Sequence, residues 1–224
     1  MPNGVPEKPD RMSPEEIVRD VGAILSRVRV VPVLTIERAG DAIAVAKALV
    51  AGGLTVLEVT LRTDTALEAA ARIATEVPQS IVGVGSVIDP AQLDSASRAG
   101  ARFVVSPGAT PDLEAAASRA RLPWLPGAQS VSEVLALRSR GFRTLKFFPA
   151  EQSGGPEFLS AIFGPVPDVR FCPTGGISAA NARRYLALPN VLCVGASWLA
   201  PAKLIAAAKW NEIRKRAQLA RRLR

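Results

Sequence analysis

One lysine stands in a segment where a sheet protein is expected to place apolar side chains. Lys146 lies between Leu145 and Phe147 in TLKFFPAE, a pattern typical of a strand. Burial removes hydration from an ammonium group and favours the neutral amine, which is a nucleophile. Such amines attack ketones to form iminium ions, which accept electrons when a carbon–carbon bond breaks. The alternative interpretation is an outward-pointing lysine whose ammonium reaches solvent.

A carboxylate and a guanidinium share one face of another predicted strand. Side chains alternate along LTVLEVTLRT, so Glu58, Thr60 and Arg62 point the same way. The chain has no histidine, and Glu58 is the carboxylate best embedded in a strand, so it is the candidate acid/base. Arg62 could bind a substrate carboxylate through two parallel hydrogen bonds. The alternatives are an ion pair of Glu58 with Arg62 or Lys146 that only closes the core, and a loop position for Arg62.

Two glycine-containing turns complete the candidate chemistry. PTGGIS occupies residues 173–178 and VGASW occupies residues 194–198, each following a predicted strand. Turns of this kind expose backbone N–H groups where a helix starts, and barrels commonly bind phosphate there. One glycine pair could reflect turn geometry alone. Two such turns after the last two strands favour an anion site.

Missing residue types exclude several classes of site. Without histidine, zinc or iron sites built on imidazole and the Ser-His-Asp and Cys-His hydrolases are excluded. Cys172 and Cys193 lie in apolar runs, which is typical of buried core cysteines. We therefore expect neither a metal nor another cofactor.

The rhythm of the sequence predicts the elements that position these residues. Short β-branched segments alternate with alanine-rich helical patterns, as in a parallel sheet with crossover helices. After a leading helix at residues 13–27, eight strands are predicted, at residues 30–36, 54–61, 81–85, 103–106, 124–126, 144–148, 169–173 and 191–194. Eight strand–helix units favour a single (β/α)₈ barrel with an extra N-terminal helix. We expect a flexible N-terminus at residues 1–12, the barrel at 13–210 and a basic tail at 211–224.

The net charge of +8 is concentrated at the C-terminal end. Six basic residues and one acidic residue lie within residues 210–224, which leaves +3 for the rest of the chain. A basic terminal helix is usually a solvated face, so we expect no nucleic-acid or membrane partner. A nucleic-acid-associated protein acting through this tail is the alternative from another class. The polar N-terminus and the lack of a long apolar run predict a cytoplasmic protein.

Five segments together resemble one family of enzymes. LEVTLRT, SPGAT, LKFFPAE, FCPTGGIS and VGASWL are similar, in order and spacing, to the 2-keto-3-deoxy-6-phosphogluconate (KDPG) aldolases, which also act on 4-hydroxy-2-oxoglutarate (KHG). The resemblance implies a Schiff-base (class I) aldolase of the Entner–Doudoroff pathway, usually a homotrimer, that yields pyruvate and glyceraldehyde 3-phosphate. It covers residues 30–201, so we expect removal of the tail to leave activity largely intact. Preference for the galactonate epimer or for unphosphorylated KHG is the alternative.

The resemblance also implies a role for each matching position. Lys146 looks like the Schiff-base lysine, Glu58 like the general acid/base, and Arg62 like the group that binds the pyruvate carboxylate. Three further positions would lie around the pyruvate and the new carbinol centre: Ser86, Pro107 and Thr174. Five positions would contact the phosphate: Gly175, Gly176, Gly195, Ala196 and Ser197.

Three departures from the family pattern bear on the site. Ser86 stands where threonine is usual, and it lacks the methyl group that limits rotamers. Residues 126–130 read PGAQS where the family usually has Pro-Gly-Ile-Ser-Thr, so the mouth over the fifth strand could differ in shape. Ala196 replaces the second glycine of the usual turn. If that position required a positive φ, alanine would be strained and phosphate affinity would fall.

Overall fold

Short parallel strands form the interior of the protein. The computed structural model describes residues 21–223, and within that range all strand pairings are parallel. The strands are β1 (Val30–Leu34), β2 (Val56–Thr60), β3 (Ile81–Gly85), β4 (Phe103–Val105), β5 (Trp124–Leu125), β6 (Gly127–Ala128), β7 (Thr144–Phe147), β8 (Arg170–Pro173) and β9 (Val194–Ala196). They pair in the orders β5-β4-β3-β2-β1-β9 and β6-β7-β8. Single-residue bridges, Phe171 to Val191 and Thr174 to Gly195, join the two sets. The result is a curled parallel sheet that resembles a TIM barrel.

Helices follow most of the strands. Within the described residues they are α1 (Val21–Leu25), a 3-10 turn (Ala39–Asp41), α2 (Ala42–Ala51), α3 (Ala66–Glu76), α4 (Pro90–Arg98), α5 (Pro111–Ala120), α6 (Val131–Ser139), α7 (Gly155–Phe163), α8 (Ala182–Leu186), α9 (Ala202–Ala206) and α10 (Trp210–Arg221). Side chains of Asp89, Thr110 and Ser130 cap α4, α5 and α6 by accepting hydrogen bonds from first-turn N–H groups. None of the described helices is long and apolar enough to span a bilayer.

Two of the predicted strands differ in the structure. The fifth divides at Pro126 into β5 and β6, because proline has no N–H to donate to the ladder. The eighth is β9, which starts where the predicted strand ended. Before it, the Leu192 N–H bonds to Phe171 of β8, whereas the Val194 N–H bonds to Arg29 just before β1. The chain changes partners within one apolar run, so hydrophobicity alone misplaced the strand. Of the predicted leading helix, residues 13–20 lie outside the described part, as does the expected flexible N-terminus.

Apolar side chains form two layers, one inside the sheet and one between the sheet and the helices. The inner layer combines strand residues such as Val31, Val56 and Phe103 with Val21 and Leu25 of α1. Helix α1 thus lies across the amino end of the sheet. There a Cβ at Gly22 would come within 2.7 Å of Thr144 Oγ1 of β7. Since this end is filled, the polar interior opens at the carboxyl ends of the strands.

The basic C-terminal segment is an ordered helix. Ile213, Ala217 and Ala220 of α10 are buried and belong to the same apolar layer as the other helices. Gly52, at the end of α2, lets the two helices touch, since a Cβ there would overlap Ala217 and lie 2.9 Å from the Arg214 carbonyl oxygen. The segment predicted as a basic tail is therefore helical as far as Arg221. The apolar stripe at three- and four-residue spacing holds the helix against α2.

We predict that Gly52→Ala lowers the free energy of unfolding by about 1 to 3 kcal/mol, because the new methyl group would push α10 away from α2. Urea unfolding followed by circular dichroism measures this change. Gly40→Ala is the matched control, since a Cβ at Gly40 meets nothing within 4 Å. Equal stability of the two variants would contradict the packing described.

Candidate active site

Two buried ionisable side chains face each other inside the sheet. Lys146 of β7 and Glu58 of β2 approach to 3.4 Å between Nζ and Oε1. Their side chains are only 5% and 4% exposed. Lys146 therefore points inward, and the outward-pointing alternative is wrong. The pairing also decides which cation faces Glu58: it is Lys146 and not Arg62.

Gly85 and Phe148 shape the surroundings of this pair. A Cβ at Gly85 of β3 would overlap the Glu58 carboxylate, so this glycine gives the carboxylate its place against the neighbouring strand. The ring centroid of Phe148 lies 5.2 Å from Lys146 Nζ, within the range of a cation–π contact. Neither residue was identified from the sequence. The available signal for Gly85 was the alternation of glycines at positions 83 and 85. Glycines on one face of a strand leave room for side chains of neighbouring strands, here Phe103 and Glu58.

Three predicted pyruvate-side residues follow the carboxyl ends of neighbouring strands. Arg62 lies two residues after β2 and is exposed, and it takes part in none of the ion pairs found among residues 21–223. Ser86 directly follows β3 and is partly exposed, with a left-handed φ of 61°. Pro107 follows β4 and Ser106, and its carbonyl oxygen lies where a Cβ of Gly127 would be. Since adjacent parallel strands carry them, all three lie along one rim.

The two glycine turns meet at the last two strands. A Cβ at Gly195 would overlap Thr174 Oγ1, so Thr174 packs directly against the backbone of β9. Gly175 and Gly176 have φ values of 101° and 77°, which side chains rarely adopt. The structure therefore brings Thr174 of the first turn into contact with Gly195 of the second, and Gly175 and Gly176 directly follow Thr174.

Ala196 occupies ordinary strand backbone. It lies in β9, is buried, and is absent from the positive-φ residues of the described chain. The strain considered for alanine at this position therefore does not arise. Ser197 follows directly and is exposed at the same rim.

Hydrogen bonds from outside the motifs hold the first turn. Asn181 accepts from the Ser178 N–H at 2.7 Å and donates to the Gly176 carbonyl oxygen at 3.1 Å. On the other side, the Glu151 N–H donates to the Gly175 carbonyl oxygen at 3.2 Å. The Tyr185 hydroxyl donates to Glu151 Oε1. Sequence reasoning missed these supports, although the spacing of Ser178 and Asn181 is that of a local side-chain turn.

The two cysteines belong to the inner apolar layer. Both are free and buried, which confirms their prediction as core residues. Cys172 is the register partner of Lys146 on the adjacent strand. A hydrogen bond with Cys172, together with burial, raises the pKa of the Cys193 thiol well above its usual value. Both effects favour the neutral thiol of Cys193.

Known proteins share this fold and these motifs. A family model described as "Aldolase: KDPG and KHG aldolase" matches residues 21–216. The KHG/KDPG aldolase of Escherichia coli (strain K12) is 50% identical over 196 residues, which cover 88% of this chain and 92% of that protein. The match ends at residue 216, within α10. The motifs placed the whole basic segment outside the similarity, whereas its first part lies inside the matched region.

Two solved structures are close in shape. The KDPG aldolase of Legionella pneumophila, with pyruvate captured as a covalent carbinolamine intermediate, has a TM-score of 0.87 and 43% identity, covering 89% of this chain and 97% of that one. The Zymomonas mobilis ZM4 enzyme with 3-phosphoglycerate has a TM-score of 0.85 and 44% identity, covering 92% and 97%. Fold and relatives define the class as an aldolase built on a TIM-barrel-like sheet. The chain belongs to the KDPG and KHG aldolase family.

We predict that Tyr185→Phe lowers the free energy of unfolding by about 1 kcal/mol at neutral pH, through loss of the bond to Glu151. Burial and the Glu151 hydrogen bond raise the pKa of Tyr185 above its ordinary value of 10. The hydroxyl thus stays protonated in the folded protein while the unfolded chain ionises. The contribution of the Tyr185 hydroxyl to the free energy of unfolding is therefore full below pH 10 and is lost as the pH rises beyond that value.

Urea unfolding of both proteins at pH 8 and pH 11 tests this prediction. The gap between wild type and Tyr185→Phe should narrow by about 1 kcal/mol at the higher pH. A gap that stays constant would contradict the assigned hydrogen bond.

Proposed function

We propose that the protein cleaves KDPG to pyruvate and glyceraldehyde 3-phosphate through a Schiff base on Lys146. The observation that carries this proposal is the buried contact of 3.4 Å between Lys146 Nζ and Glu58 Oε1. Family membership supports it, as does the carbinolamine formed by pyruvate in the Legionella relative. A nucleophilic amine and a proton carrier are what this reaction requires of side chains.

The proposed cycle begins when Glu58 takes a proton from Lys146, and the resulting amine attacks the C2 ketone. Glu58 supplies the proton with which the C2 oxygen leaves as water, and an iminium ion remains. The Glu58 carboxylate then takes the proton of the C4 hydroxyl, the C3–C4 bond breaks, and its electrons pass into the iminium to form an enamine. Glyceraldehyde 3-phosphate departs. Protonation of the enamine at C3 and hydrolysis of the iminium release pyruvate and restore the lysine.

The remaining motif residues are proposed to hold the two ends of the substrate. Arg62 binds the carboxylate next to the ketone, with Ser86 and Pro107 beside it, and Thr174 lies at the new carbinol centre. The phosphate binds to the N–H groups and hydroxyl of the turns: Gly175, Gly176, Gly195, Ala196 and Ser197. Positive φ at Gly175 and Gly176 supports this assignment, because successive N–H groups can then converge on an anion.

We further propose that the curled sheet is a closed (β/α)₈ barrel. In this arrangement β5 and β6 are two halves of the fifth strand, bent at Pro126, and α1 covers the amino end. The bridges from Phe171 to Val191 and from Thr174 to Gly195 support closure between β8 and β9.

A second substrate is KHG, which shares the ketone and the C4 hydroxyl with KDPG. The Escherichia coli relative is named for both compounds, which supports dual activity. Preference for unphosphorylated KHG has less support, since Ala196 lies in unstrained strand backbone and gives no reason for a loss of phosphate affinity. Comparison of kcat/KM for the three compounds distinguishes these specificities, and we expect KDPG to rank first.

The homotrimer implied by the resemblance is also proposed here. Val131 and Leu135 of α6 share a helix face and are 43% and 46% exposed, as is usual for apolar residues that meet another subunit. Light scattering that gives three copies per particle would support the trimer, and a monomeric mass would overturn it.

Borohydride reduction in the presence of pyruvate should attach a pyruvate-derived adduct to Lys146. Peptide mapping by mass spectrometry locates the adduct, and Lys146→Met should show none. Exposed Lys203 on α9 is the matched control, since Lys203→Met should be labelled as the wild type is. An adduct elsewhere, or an unchanged protein mass, would end the Schiff-base proposal.

Gly85→Ala should lower kcat/KM for KDPG by about 100-fold, because displacement of a catalytic group by about 1 Å has an effect of that size. The added methyl group would push the Glu58 carboxylate off β3 and away from Lys146. Gly164→Ala is the control, since a Cβ there meets nothing within 4 Å. Normal activity of Gly85→Ala would show that the position of Glu58 is not required.

A further inference from the structure

The C-terminal helix reaches the turn that follows β9. Arg216 of α10 donates from Nη1 to the Trp198 carbonyl oxygen at 2.8 Å and from Nη2 to Glu212 Oε1 at 2.6 Å. Trp198 directly follows Ser197, so the bond joins the helix to the second proposed phosphate turn. Because a guanidinium is planar and its donors point in fixed directions, two acceptors held together orient the whole side chain.

The helix that carries Arg216 is itself firmly held. Ile213 and Ala217 on either side of it in sequence are fully buried. Ala217 packs against the backbone of Gly52 at the end of α2. Helix α10 is therefore held against α2, and from this fixed position Arg216 reaches the Trp198 carbonyl oxygen.

The same helix also lies against the loop after the first turn. A cavity of about 310 Å³ is lined by residues of α10, by Leu223 just after it, and by one residue from each turn region: Ala179, Trp198, Arg216, Leu219, Ala220 and Leu223. Ala179 directly follows Ser178, which is part of the hydrogen-bonded support of Gly176. The C-terminal helix thus forms an outer wall behind both turns.

The charge of Arg216 is already partnered. Its ion pair with Glu212 is local, four residues apart on one helix. The other contact is to a backbone carbonyl and not to the open rim of the site. These contacts suit Arg216 to hold the turn in place and not to attract the substrate phosphate directly.

We propose that Arg216 is a positioning residue for phosphate recognition, which holds the turn of Ser197 and Trp198 from the outside. This inference rests on the proposed function. It gives the basic helix a role in the reaction, so removal of residues 211–224 should not leave cleavage of KDPG intact, contrary to the expectation from sequence.

The test compares a reaction that needs the phosphate with one that does not. Cleavage of KDPG uses the whole site, whereas exchange of the pyruvate methyl hydrogens in deuterated water needs only the Schiff base and its proton carrier. In Arg216→Ala we expect KM for KDPG to rise about tenfold, the effect of one lost charge-assisted hydrogen bond. The kcat for KDPG and the rate of pyruvate exchange should stay within about twofold, since the lost interaction is uniform binding.

Two further variants distinguish the positioning effect of Arg216 from an effect of its charge or of impaired folding. Arg214→Ala removes an equal charge from an exposed site on the same helix and should behave as the wild type. Arg216→Lys keeps the charge but lacks the fork that reaches both acceptors, so KM for KDPG should stay raised. If Arg216→Ala fails to fold, Arg216→Lys carries the test.

The outcomes are distinct for the two proposals. An unchanged KM, full rescue by Arg216→Lys, or an equal loss of cleavage and pyruvate exchange would overturn the positioning role. A wild-type protein that neither exchanges pyruvate hydrogens nor cleaves KDPG would overturn the proposed function and the inference with it. A raised KM with normal exchange supports both.

Discussion

The contact between Lys146 and Glu58 depends on the removal of water from the interior of the sheet. Two opposite charges in a poorly hydrated interior lose much solvation energy, and either one alone would be left uncompensated. Burial of the Lys146 ammonium therefore requires the Glu58 carboxylate beside it, and the reverse is also true. The rest of the structure satisfies this constraint, because apolar side chains and α1 fill the amino end and leave the carboxyl end as the opening.

That single opening determines where the rest of the chemistry can lie. Side chains that follow the carboxyl ends of β2, β3 and β4 form one side of the rim, and the glycine turns after β8 and β9 form the other. In the proposed function, a keto acid on Lys146 has its carboxylate toward Arg62 on one side and its phosphate toward Gly175 and Gly176 on the other. These residues lie at the same end of the sheet because the carboxyl ends of parallel strands meet at one face.

Small residues permit the close contacts on which this arrangement depends. Gly85 makes room for the Glu58 carboxylate, Gly195 for Thr174, and Gly52 for α10. At each of these points the glycine backbone lies directly against a neighbouring element, and a side chain there would hold the two apart. The helix packed on Gly52 is then joined to the turn after β9 through the hydrogen bond from Arg216 to the Trp198 carbonyl oxygen. A glycine remote from the rim is in this way connected to the site by two packed helices.

The sequence by itself determined the alternation of strands and helices, the buried cysteines and the motifs of the family. These features depend on local periodicity and on the types of a few residues that are close together in the sequence. It could not determine where the chain around residues 190–196 changes strand partners, because both partners accept the same apolar side chains. It also could not show that Lys146 faces Glu58, that Gly85 makes room for that carboxylate, or that Arg216 reaches Trp198. Those contacts join residues distant along the chain, and only the closing of the sheet and the packing of α10 on α2 decide which of them meet.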